Sequence, residues 1–121
     1  SSQPAAQRWE PSIRNNVGVA LHQLGRYDEA LGQFQQALAL RERGSNRQAT
    51  FVARWMVAWT LRSLGRGDEA LRIQLQLEQQ ADATGTPDPH VFEELEALYR
   101  SQGDQAKAQH YAQRRAEAGR R

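Results

Sequence analysis

Apolar residues along the chain fall into six stretches with helical spacing, separated by short polar or glycine-bearing breaks. Ile13, Val17, Ala20, Leu21 and Leu24 form the first, and Ala30, Phe34, Ala37 and Leu38 the second. Phe51, Trp55, Ala58, Trp59, Leu61 and Leu64 follow, then Ala70, Ile73, Leu77 and Ala81. Val91, Leu95, Leu98 and Tyr99 make the fifth; the last is sparse, with Ala106, Ala108, Tyr111 and Ala112. The spacing predicts six helices near 10–24, 27–43, 47–64, 67–83, 88–101 and 104–118, an all-α fold with nothing strand-like in competition. Pro11 is expected either to begin the first helix or to kink it, since its ring displaces a carbonyl that a helix interior needs.

The breaks repeat. Leu24-Gly25-Arg26-Tyr27 leads into Asp28-Glu29-Ala30-Leu31, and Leu64-Gly65-Arg66-Gly67 leads into Asp68-Glu69-Ala70-Leu71, 40 residues on. A degenerate third copy runs from Gln102 to Ala108, so Ala108 follows Ala70 by 38 residues. In each copy a glycine can end one helix in the left-handed conformation. An aspartate, Asp28, Asp68 or Asp104, then falls at or near the next helix start, where a carboxylate suits the free N–H groups and the dipole. Gly44-Ser45-Asn46 and the Thr84–Pro89 segment separate three hairpins, near 10–43, 47–83 and 88–118, in one domain spanning 1–121 with short flexible ends. Periods of this size mark arrays whose units bury their apolar faces by stacking on one another. The largely polar last helix fits a terminal unit that turns one face to water.

Composition narrows the function more than the fold. The chain contains no Cys, which removes disulfides, thiolate zinc sites and cysteine nucleophiles together. Net charge is +2, and the basic side is carried by fifteen Arg against one Lys, interspersed with acids throughout. Only Arg114-Arg115 and Arg120-Arg121 form basic pairs, too little for a nucleic-acid arm. No apolar run reaches membrane-spanning length and no signal-peptide pattern is present, which favours a cytoplasmic protein. The first residue is Ser rather than Met. The chain therefore reads as a cut or processed form, and the missing signal carries little weight.

Taken together, the Gly turns and the small–aromatic–small pattern of Gly18, Ala30, Phe34 and Ala37 resemble the tetratricopeptide repeat. Asn16-Val17-Gly18 before Leu21 fits as well. The second copy keeps Ala58 and Ala70 but has Gln74 at the aromatic position; the third has Glu96 at the small position and Ala112 at the aromatic one. Repeats of about 40 residues resemble the extended type of kinesin light chain, and the pattern is also similar to small bacterial tetratricopeptide proteins. The resemblance implies a right-handed α-solenoid of three helical hairpins, a non-catalytic scaffold without cofactors. It would bind a protein or peptide segment in a concave groove lined by the first helix of each hairpin.

On that implication the groove residues are Asn15, Asn16 and His22 from the first helix, Trp55, Trp59 and Arg62 from the third, and Arg100 from the fifth. Trp55 and Trp59, four apart, share a helix face. They read either as a groove anchor or as core, and the pattern leaves both open. The carboxylate clamp used by some relatives does not carry over: Val19 and Met56 replace Asn, Asn15 replaces Lys, and Glu94 brings a like charge. His22, His90 and His110 lie on three helices without metal-ligand spacing. Glu93, Glu94 and Glu96 are expected to favour the start of the fifth helix through its dipole. The alternative function is self-association, in which an N-terminal edge carrying Pro4-Ala5-Ala6 and Trp9 packs on another copy of the chain to give a homodimer. Nucleic-acid and membrane partners are not expected.

Overall fold

Glycines set the helix ends. In the computed structural model, which describes residues 5–120 (side chains from Trp9 onward), Gly25, Gly65, Gly85 and Gly103 all have positive φ. At Gly25 the turn closes with Arg26 N–H donating to the Leu21 carbonyl and Gly25 N–H to the His22 carbonyl, the paired bonds that end a helix through a left-handed residue. Pro4 of the expected N-terminal edge lies outside the described residues.

Six helices result, α1 (Ala5–Gln23), α2 (Tyr27–Glu42), α3 (Arg47–Ser63), α4 (Gly67–Ala83), α5 (Pro89–Ser101) and α6 (Gln105–Ala118), and no strand occurs among the described residues. Their bounds follow the apolar pattern closely except at the start, where α1 begins at Ala5 and Pro11 lies inside the helix. Three N-caps are side-chain caps: Asn46, Asp88 and Asp104 accept from the N–H groups of Ala49, His90 and Lys107. Asp28 and Asp68 do not cap. They sit in the first turns of α2 and α4, while Arg26 and Arg66 at the boundary pair with Glu29 and Glu69 three residues on. The repeated Arg-x-Asp-Glu is thus an exposed ion pair clamped across a first turn.

The chain divides into two compact units at Gly65–Arg66. In the first, α1 packs on α2 and α2 on α3. Ala30, Phe34 and Ala37 are fully buried on α2. Gly18 of α1 is buried against Phe34 so closely that a Cβ there would stand 2.6 Å from the ring. This contact decides which way α1 faces. Pro11 and Gly18 turn inward, with Asn15, Leu21 and His22 half-buried beside them. The apolar set expected to be its core face is mostly outside: Ile13 is 58% exposed, Val17 43% and Leu24 70%. Periodicity locates an apolar stripe but does not say which stripe a neighbour selects, and the neighbour here is an aromatic ring that requires a side chain no larger than hydrogen.

In the second unit α4 packs on α5 and α5 on α6. Val91, Phe92, Leu95, Leu98 and Tyr99 of α5 are buried, with Leu77 of α4 and Ala108 and Tyr111 of α6. Gln74, at the aromatic position of its repeat, is fully buried, and neither of its amide atoms has a hydrogen-bond partner among the described residues. Glu94 and Glu96, expected to serve the helix dipole, are buried instead. Glu96 accepts from Arg100 at 2.7 Å and faces Arg115 at 3.3 Å, an ion pair whose alignment falls short of a hydrogen bond. Arg114 lies over the Phe92 ring and reaches Glu78 and Asp82 of α4, while the Tyr111 hydroxyl donates to Glu78. The Arg114-Arg115 pair is therefore engaged within the unit.

Candidate functional site

Two helices of the first unit bring the predicted residues together. His22, in the last turn of α1, lies flat on Trp59 of α3, with ring centroids 3.5 Å apart and planes 12° from parallel. Trp59 stacks in turn on Trp55, one turn earlier on α3, at 5.6 Å and 22°. Phe34 leans against Trp59 at 6.3 Å, and Tyr27 meets His22 edge-on at 4.8 Å. The result is a three-ring ladder with aromatic support beneath it. Both indoles are half-buried, so neither alternative for the tryptophans holds alone: Trp59 supports the packing of Phe34 and His22, and part of each ring stays accessible.

The polar groups around the ladder are ordered too. His22 Nε2 lies 2.9 Å from Ser63 Oγ, and Ser63 Oγ lies 3.3 Å from the Trp59 carbonyl. A carbonyl only accepts, so the hydroxyl proton belongs on that bond and His22 donates Nε2–H to the serine. Burial lowers the His22 pKa, and the neighbouring Arg62 charge lowers it further. The imidazole is accordingly neutral near pH 7. A serine next to a histidine invites a catalytic reading, which the geometry does not favour. The serine proton is committed to a backbone carbonyl, Arg62 weakens the imidazole as a base, and no carboxylate among the described residues orients the ring.

Asn15 stands two turns before His22 on the same side of α1. Its Oδ1 is buried and has no hydrogen-bond partner among the described residues. Asn16 is exposed, and Arg62 half-buried. Arg100 belongs to the second unit and is committed to Glu96. Among the described residues no group of three His, Asp or Glu side chains is placed to hold a metal ion, and no helix is long and apolar enough to cross a membrane.

The tetratricopeptide repeat family model matches residues 9–83, more than half of the chain. The chain belongs to the tetratricopeptide repeat family. The match covers α1 to α4, the two copies with intact Leu-Gly-Arg turns, and stops before the copy in which Glu96 and Ala112 replace the small and aromatic residues. No curated protein matches the chain. Tetratricopeptide repeats are in general non-catalytic modules of protein–protein interaction.

The residues of the ladder are legible in the sequence; their stacking is not. His22 and Trp59 are 37 positions apart, and only the α1–α2–α3 packing brings them into register. Tyr27 reads as a turn residue in the sequence, yet its ring supports His22 edge-on.

Proposed function

We propose that the first unit binds a protein segment across α1 and α3, with Trp55 and Trp59 as the apolar anchor. The observation that carries this reading is the half-buried, stacked ladder of His22, Trp59 and Trp55. Rigid aromatic surface of this kind gives contact area at little entropic cost, and Trp and Arg dominate the energetics of protein interfaces. Asn15 adds a desolvated acceptor that a backbone N–H of the bound segment would satisfy. Arg62 places positive charge beside a neutral His22, which favours a segment with an apolar side chain next to an acidic one. Asn16 supplies polar support at the rim.

A displayed library of short peptides tests this. Binders selected on the wild type are expected to be lost on Trp55→Ala and kept on Trp9→Ala, with both variants shown folded by circular dichroism. Equal binding to Trp55→Ala would move the function to another face.

A further inference from the structure

His22 is the one titratable member of the ladder, and the fold engages only one of its two ring nitrogens. Nε2–H donates to Ser63 Oγ at 2.9 Å, while Nδ1 has no hydrogen-bond partner among the described residues. In the neutral ring Nδ1 carries a lone pair and accepts; with a second proton it becomes an N–H and donates. The ladder survives that change. Nε2 is a donor in both forms, so the bond to Ser63 is kept. The Trp59 face, stacked 3.5 Å from the imidazole, attracts a cation, so the stack is kept as well.

The charges around the ring are few. On its own helix there is none between Asn15 and Gln23. From α2 comes Tyr27, edge-on at 4.8 Å, and beside it Arg26 pairs with Glu29 while Asp28 is exposed. From α3 come Ser63 and Arg62. Burial first, and the Arg62 charge second, hold the free ring neutral. A carboxylate brought to this edge of the ladder would reverse both effects. It opposes the Arg62 charge at His22, and it offers an acceptor to a protonated Nδ1.

We infer that the surface across α1 and α3 recognises an aspartate or glutamate of the bound segment through His22 Nδ1, in the positive field of Arg62, and that binding takes up one proton at Nδ1. The proton comes from solvent and stays on the imidazole; the carboxylate remains ionised and accepts from it. This recognition rests on the binding surface proposed above and supplies its polar half, an acidic residue next to the apolar anchor that is held more tightly as pH falls. A carboxylate in contact raises the proton affinity of its partner at least about 10-fold, and linkage returns the same factor as tighter binding. Aspartate itself stays ionised down to about pH 5, so the gain belongs to the protein.

Two displayed libraries of short peptides, one with a fixed Leu-Asp pair and one with Leu-Asn, test this on the full chain. Enrichment of Leu-Asp over Leu-Asn is expected to be at least about 10-fold greater at pH 5 than at pH 8. Calorimetry of a recovered Leu-Asp peptide near pH 6, in two buffers of different ionisation enthalpy, is expected to show net proton uptake by the wild type. His22→Gln keeps a donor for Ser63 but cannot become charged, so its preference for Leu-Asp is expected to stay at the pH 8 level throughout. The calorimetric result on the wild type decides the matter by itself if that variant misfolds. Equal preference at both pH values, or binding without proton uptake, would overturn the inference and leave the binding surface standing where Trp55→Ala loses the peptides. A pH-dependent preference retained by folded His22→Gln would assign the proton to another group and overturn it too. Capture of neither library, or equal capture on Trp55→Ala, would remove the surface and the inference together.

Discussion

Gly18 and Gly32 make a matched pair for testing the packing of the first unit. Both are glycines within helices, and in an exposed helix interior Gly→Ala stabilises by about 1 kcal/mol through propensity alone. At Gly32 in α2 nothing lies within 4 Å of an added Cβ, so Gly32→Ala keeps that gain, about 0.5–1 kcal/mol. At Gly18 the same methyl stands 2.6, 2.8 and 2.9 Å from three carbons of Phe34, whose ring is fully buried between Ala30 and Ala37 along α2. The ring is fully buried and would have to shift, so overpacking costs about 1–3 kcal/mol, at the upper end for a clash this close. Subtracting the propensity gain leaves Gly18→Ala less stable than wild type by about 2 kcal/mol, and the two variants some 3 kcal/mol apart. Urea titration of both, followed by far-ultraviolet circular dichroism, measures the difference, and the slopes must agree for it to be read as stability. Thermal midpoints should move in opposite directions, by about 3–5 °C per kcal/mol. If Gly18→Ala proves as stable as Gly32→Ala, the close approach of α1 to Phe34 is wrong, and so is the face of α1 argued from it.

Gln74→Met replaces a fully buried amide without partners by an apolar side chain of similar volume; it should raise stability by about 1–3 kcal/mol in the same titration, and a loss would mean the amide is satisfied after all. His22 has a folded pKa below its unfolded value, so its contribution is fully present above the unfolded pKa of about 6.5 and is lost as pH falls through the folded one. The wild type should therefore weaken on acidification from pH 7 to about 5, and His22→Gln should flatten that part of the profile; an unchanged slope would show that His22 titrates normally. Arg114→Ala removes the ion pairs to Glu78 and Asp82 and uncovers Phe92, for an expected cost of about 1–3 kcal/mol. A silent substitution there would show that the cluster is only a surface pairing.

Helix ends were legible because their causes are local. A glycine at positive φ ends α1 or α5 whatever surrounds it, and Asn46, Asp88 and Asp104 cap with their own side chains. Facing was less legible. Ile13, Val17 and Leu24 look like a core stripe until Gly18 is seen to be the residue Phe34 admits. Charges misled for the same reason. Glu96 in isolation reads as helix-dipole chemistry and Arg114-Arg115 as a basic end, but folding matches each with a partner from another helix. The candidate site fell between these cases. Its residues were visible as first-helix positions, but the stacking of His22 on Trp59, and hence the neutral imidazole and the accessible indole surface, depends on a separation of 37 residues that only packing resolves.

The fastening of α6 has a dynamic consequence. Only Ala108 and Tyr111 of this helix are buried, and its other attachments are polar or charged. They include the Tyr111 hydroxyl, Arg114 and Arg115 against carboxylates of α4 and α5, and Lys107 over the Tyr99 ring. Hydrophobic adhesion is insensitive to moderate salt, whereas partly exposed ion pairs are screened. The last helix should thus behave as a separately opening segment whose amide protons exchange faster than those of α5, with a gap that widens as ionic strength rises. Solvent composition, rather than a ligand, would then set how often the buried aromatic face of α5 meets water.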